Sequence, residues 1–308
     1  DMNGVQITGL ANLAGGTMRG VQLAGISNIS GDNTVGLSAA GLVNITGDRA
    51  QGVVISGLTS IGGDNNSGLM ISGFMNVTGN MASGLHFSGA ANITGQSFGG
   101  LMASGLLNVV GEHMNGLQIA GIANITASKL NGVQVALCNY ATKARGLQIG
   151  LVNYYKEDMK GFQLGLVNAN PDTKVQMMVY GGNATPANIG VRFKNQLFYT
   201  ILGVGSMYQG LNDKFSASAS YRAGLSFPLY KGLSISGDLG YQHIEAFDNK
   251  DEVIPKRLYA LQARANLEYQ FTKKFGIFAT GGYGLTRFYN KSSNYDKGAI
   301  IEAGIVLF

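Results

Sequence analysis

GVQLAGISNISGDNTV, residues 20–35, is followed by GLSAAGLVNITGDRAQ, residues 36–51, and by GVVISGLTSIGGDNNS, residues 52–67. The three segments share a register: glycine at positions 1, 6 and 12, aliphatic residues at 2, 7 and 10, and a polar tail. Copies with this sixteen-residue period start at Gly4, Gly20, Gly36, Gly52, Gly68, Gly84, Gly100 and Gly116. Three looser copies follow from Gly132, Gly146 and Gly161, with spacings that slip to fourteen and fifteen residues. A repeat this short holds no helical hairpin, and its β-branched content and frequent glycines favour short strands with sharp corners. One copy therefore reads as one rung of a β-solenoid, with rungs stacked in parallel register at ~4.8 Å and equivalent side chains in columns. Apolar residues at positions 2, 4, 7 and 10 predict interior columns of Val, Ile and Leu.

Position 9 predicts a structural asparagine ladder at a corner, formed by Asn12, Asn28, Asn44, Asn76, Asn92, Asn108 and Asn124 and continued by Asn139, Asn153 and Asn168, with Ser60 as the one departure. Position 3 is read as outward. It is usually Gln (Gln6, Gln22, Gln118, Gln134), but in the middle rungs it becomes Val54, Met70, His86 and Met102. With Val43, Met75 and Leu107 at position 8, Val54, Met70 and Met102 would form an apolar docking stripe, or else an ordinary scatter of exposed apolar residues.

Composition narrows the function. The chain has 47 glycines in 308 residues, one cysteine (Cys138), no tryptophan and a formal net charge of +5. A single cysteine excludes an intramolecular disulfide and a Cys-rich zinc site. The basic residues form no stripe that could neutralise a row of phosphates, so nucleic acid is not an expected partner. No apolar run reaches the ~20 residues of a membrane-spanning helix and no signal peptide opens the chain. The chain starts within the repeat pattern, as a processed or trimmed chain would. The N-I-T and N-I-S triplets follow from the ladder and not from glycosylation. SGDNT, TGDRA and GGDNN hold at most one acidic residue each and lack the nine-residue period of calcium-binding β-rolls. His86, His113 and His243 lack the spacing of a metal site, and GVGSMYQG and GGYGLTRFY lack a Walker lysine. No catalytic, cofactor-binding or metal-ligating residue is assigned, and the expectation is a non-enzymatic protein without a cofactor.

Residues 1–131 hold eight charged and three aromatic residues; residues 132–308 hold thirty-one and twenty-five. The expected domains are a solenoid over 1–171 and an antiparallel barrel over 172–308. In FSASASYRAGLSFPLY, residues 215–230, and again in 233–242 and 258–271, apolar and polar residues alternate with a period of two. Eight strands are predicted, near 175–182, 188–195, 197–208, 215–230, 232–247, 257–271, 275–289 and 298–308. Short turns alternate with the polar loops 183–187, 209–214, 248–256 and 290–297, aromatics cluster at strand ends, and Phe308 is terminal; this pattern fits an outer-membrane barrel. Arg222, Asp238, Arg264, Glu268 and Glu302 would then pair as a polar network in a narrow lumen. A small soluble barrel or sandwich would instead bury the apolar face.

GLQIAGIANI, GVQVALCNYA, GLQIGLVNYY and GFQLGLVNAN, followed by NIGVRFKNQLFYTILGVG, resemble the surface-repeat proteins of Gram-negative bacteria over nearly the whole chain. The resemblance implies an exported, envelope-associated β-protein and supplies no catalytic residues. The expected function is an outer-membrane anchor for a solenoid docking surface, within a larger envelope transport or assembly complex, with membrane lipid and other envelope proteins as partners. With an even strand count and a periplasmic C-terminus, the solenoid lies in the periplasm; an odd count would put it on the cell surface. The alternatives are a surface adhesin or glycan binder, which would use Phe74, Phe87 and Phe98, and a small lipid-modifying barrel enzyme, which would pair His243 with a serine.

Overall fold

The computed structural model describes residues 1–208, 215–247, 257–289 and 294–307. It is an all-β chain that divides into two compact units, Asp1–Gly165 and Leu166–Phe308. The predicted loops 209–214 and 248–256, part of the loop 290–297, and Phe308 lie outside the described residues.

The first unit is a parallel β-solenoid whose rungs follow the sequence repeat. Gly20 pairs with Gly4 and with Gly36, and Asn28 with Asn12 and Asn44, so like residues stack on like along the axis. In a typical rung one strand carries the tail into positions 1–5, as in Arg49–Ser56, and a four-residue strand carries positions 8–11, as in Thr59–Gly62. The longer strand bends at position 1, where all eleven glycines adopt φ between +105° and +145°. A side chain there would be strained, and its Cβ would overlap the carbonyl oxygen of the equivalent glycine one rung below, as at Gly84 over Gly68. From Ala127 onward position 12 is no longer glycine, and strands run through that corner as Ala123–Val135 and Cys138–Ile149. The loosened copies from Gly132 and Gly146 remain rungs of the solenoid.

The predicted aliphatic core is inverted. Positions 3, 5, 9, 11 and 15 point inward, while the Val, Ile and Leu of positions 2, 4, 7 and 10 point outward. Leu58, Phe74, Leu106 and Ile122, all at position 7, are 48%, 55%, 49% and 51% exposed. The reason is strand parity: once the asparagine at position 9 is inside, its neighbours 8 and 10 must face out. The docking stripe is overturned on the same ground. Val54, Met70 and Met102 are interior, 4%, 2% and 0% exposed, and form an apolar filling midway along the rod. Val43, Met75 and Leu107 sit half-buried at outward position 8, on the opposite side of the sheet.

The second unit is a closed antiparallel barrel of eight strands, Lys174–Gly182, Ala187–Asn195, Phe198–Ser206, Ser216–Tyr230, Leu233–Ala246, Arg257–Thr272, Phe275–Phe288 and Asn294–Leu307. The first strand closes on the last through Met177 to Leu307 and on to Gly182 opposite Glu302. The tight turns before Phe198, Leu233 and Phe275 lie at the same end as Lys174 and Leu307. Leu225, Leu261 and Leu267 face outward, 47%, 51% and 50% exposed, whereas Arg264 and Glu268 face inward at 7%.

Candidate functional site

Two interiors and two exteriors carry the functional information. Inside the solenoid, each position-9 asparagine donates from Nδ2 to Oδ1 of the next across 2.8–3.1 Å, in one run Asn12–Asn28–Asn44 and a second Asn76–Asn92–Asn108–Asn124–Asn139–Asn153. The same nitrogen donates to a position-4 carbonyl of the following rung, for example Asn92 to Ala103 at 2.8 Å, and so ties the corner at position 6. At Ser60 the amide is missing and three hydroxyls, those of Ser56, Ser60 and Ser72, complete the ladder. Asn44 donates to Ser56 (2.8 Å), the Ser56 and Ser60 hydroxyls are hydrogen-bonded to each other (2.6 Å), and Ser72 bonds both Ser60 (3.0 Å) and Asn76 (2.6 Å). A glutamine ladder at position 3 runs at both ends of the rod, Gln22 to Gln6 at 2.9 Å and Gln163 to Gln148 to Gln134 to Gln118 at 2.8 Å each. Sequence reading placed these glutamines outside and missed that ladder, although their recurrence in phase with the asparagines at both ends of the repeat was its signal.

Between the glutamine runs the position-3 column holds Ser38, Val54, Met70, His86 and Met102. His86 is 1% exposed and meets Phe98 edge-on at 4.9 Å between ring centroids. Burial lowers its pKa from 6.5 to about 4, so the ring is neutral at physiological pH.

The solenoid exterior is aliphatic on the faces made by positions 2, 4, 7 and 10. Charges before residue 132, apart from Asp1, fall on the remaining edge at positions 13, 14 and 16: Arg19, Asp32, Asp48, Arg49, Asp64, Glu112 and Lys129. The three phenylalanines considered for glycan binding are not gathered, since Phe74 is exposed, Phe87 half-buried and Phe98 interior.

Inside the barrel the structure brings Arg222, Asp238, Arg264, Glu268 and Glu302 into one network and adds Arg192. Three arginines meet three carboxylates in two-pronged pairs: Arg192 with Glu268 (2.6 and 2.9 Å), Arg222 with Asp238 (2.8 Å twice) and Arg264 with Glu302 (3.1 Å twice). Asn266 links Arg222 to Asp238, Tyr199 donates to Asp238 at 2.7 Å, and Gln176 accepts from Arg192 at 2.6 Å. All six charged side chains are at least nine-tenths buried. Such pairing offsets the desolvation of each charge and fills the lumen with side chains. Arg192 was legible in NIGVRFKN, where it alternates in phase with Asn188 and Gly190.

The outer wall carries aromatics at both ends of an apolar band. Tyr269, Phe271 and Phe275 cluster near the tight turns. Tyr241, Tyr259 and Tyr289 cluster at the opposite end, with Phe215 against Phe247 beside them. His243 belongs to this rim; its Nδ1 meets the Tyr289 hydroxyl at 2.8 Å and its Nε2 lies 3.6 Å from Glu245, while no serine bonds it among the described residues. Cys138 is exposed and free. No cluster of metal-ligating His, Cys, Asp and Glu is found among the described residues.

No family model matches the chain, and no curated protein matches it. Among solved structures, it is similar to the N-terminal β-barrel domain of Pseudomonas aeruginosa OprF, at 18% identity over 43% of this chain and 95% of that one, with a TM-score of 0.31.

Proposed function

We propose that this chain is a non-enzymatic outer-membrane protein of the surface-repeat kind, whose barrel anchors a solenoid that serves as a contact surface in a larger envelope transport or assembly complex. One observation carries the reading: both units line much of the interior with polar side chains and turn many large apolar side chains outward, an arrangement that water alone does not favour. For the barrel, lipid is the solvent that suits such a wall, and a closed ladder leaves no backbone edge to satisfy. The paired lumen argues against a general porin. The tight turns share the end with both termini of the barrel, the end that faces the periplasm in this class, so the solenoid emerges there.

For the solenoid, the contact surface is drawn from the aliphatic faces of positions 2, 4, 7 and 10, not from the middle-rung stripe. Charges confined to one edge leave those faces free to meet protein or bilayer. A photo-reactive amino acid at Phe74, on the outward face, separates the two. Cross-links to defined envelope proteins support the docking reading, and cross-links to lipid alone replace it with direct membrane contact. Release of intact protein by washing without detergent would remove the anchor.

A further inference from the structure

The barrel's outer wall is not uniform. Cross-strand register places two outward rows side by side over six consecutive strands. One runs Ile305, Val179, Ile189, Val204, Ala219, His243. The row nearer the long-loop rim runs Ala303, Gly181, Ala187, Ser206, Ala217, Glu245. Five successive members of that second row are glycine, alanine or serine. Over these five strands the wall is dished, and the hollow measures about 990 Å³. Phe247, tilted against Phe215, forms its rim-side lip. At one end it meets a polar group: His243 beside Tyr289, and Glu245 bonded to Arg257 at 3.2 Å.

We infer that this dish holds the acyl chains of a membrane lipid, with its charged head beside the His243–Tyr289 pair and the Glu245–Arg257 ion pair. The inference rests on the reading of the barrel as membrane-inserted. Three features select this occupant. The hollow is continuous with the apolar band that faces the bilayer. Its floor is closed sheet whose backbone groups are paired across the ladder, so a partner strand cannot add to it. Its polarity is one-ended, apolar across five strands and ionic at the sixth, as an amphiphile requires. A phospholipid and an acylated sugar phosphate share this chemistry.

The test is extraction of the full chain in mild detergent, repeated washing, and mass spectrometry of the lipid that remains. The intact protein is expected to retain a lipid, and the identity of that lipid distinguishes the two sources. Ala217→Phe and Ala187→Phe fill the dish from the lipid side and are expected to reduce retention about tenfold. Ala265→Phe, an equally outward alanine outside the dish, is expected to leave retention unchanged. Altered mobility of unboiled protein on a gel reports that each barrel has folded. Equal retention by the dish-filled variants and the intact chain overturns the inference, as does an intact chain that needs detergent yet retains nothing. A chain recovered without detergent refutes the membrane reading itself, which keeps the two failures apart.

Discussion

The solenoid and the barrel solve the same inverted problem with opposite chemistry. Each must satisfy polar side chains in a dry interior behind an apolar wall. The solenoid stacks identical neighbours, so an interior charge would face its own copy one rung away; neutral amides, which both donate and accept, are the residues that can pair with themselves. In the barrel, facing strands differ in sequence, and an arginine on one can meet a carboxylate on another. The lesson concerns symmetry: translation along an axis selects self-complementary groups, whereas a closed ring of unlike strands permits ion pairs.

The contrast breaks most visibly in the barrel. Arg222→Ala strands Asp238 in a buried site, and loss of one partner of a buried pair costs about 3–5 kcal/mol. A fall in the urea midpoint of the detergent-solubilised chain is the expected result. Replacing Arg222 and Asp238 together by apolar residues of similar volume is expected to recover most of that loss.

His86 is the point at which the solenoid departs from neutral self-pairing. Its folded pKa, about 4, lies below the unfolded value of 6.5, so it contributes full stability above pH 6.5. As pH falls, the unfolded chain takes up the proton first, and stability is lost between 6.5 and about 4. The full loss is about 3 kcal/mol for this group, from a difference of about 2.5 units. His86→Met, matching Met70 and Met102 on either side, is expected to remove this component from the pH dependence of unfolding.

The repeat made the rung boundaries, the glycine corners and the asparagine column legible, because period is independent of which way a side chain points. Strand positions in the barrel were equally legible: the alternation in 215–230 and 258–271 survives as Ser216–Tyr230 and Arg257–Thr272. What the repeat did not announce was its inside. A strand of period two offers two faces, and assigning the aliphatic face to the core assumes water outside. Gln at 3 near both ends of the repeat and Asn at 9 along nearly all of it recur in phase, each able to pair with its own copy, and that recurrence carried the inversion. The barrel escaped the same error because strand length and turn spacing had already suggested lipid.

A smaller effect tests the ladder. Asn92→Ala removes the acceptor for Asn76 and the donor to Asn108, at an expected cost of about 2 kcal/mol. Asn92→Ser should cost distinctly less. Ser88 and Ser104 stand on its two sides as Ser56 and Ser72 stand beside Ser60, and both hydroxyls are buried without a hydrogen-bond partner. Serine at 92 would draw them into the hydroxyl bridge already present at Ser60. Equal destabilisation by Ala and Ser would show that the bridge depends on something particular to that rung.

The smallest expected change is the sharpest test of the inversion. Leu85 and Met102 are both large apolar residues of adjacent rungs, at outward position 2 and inward position 3. If aliphatic columns formed the core, Leu85→Ser would cost the several kcal/mol of a buried large-to-small change and Met102→Ser little. The observed placement reverses this. Leu85→Ser is expected to shift unfolding by less than about 0.5 kcal/mol in the detergent-solubilised chain, and Met102→Ser by about 2–5 kcal/mol. Leu85→Ser should nonetheless weaken cross-linking from Phe74 in the envelope, because it alters the surface and leaves the interior intact. A variant that folds normally and contacts less is the signature of an apolar wall built for a neighbour.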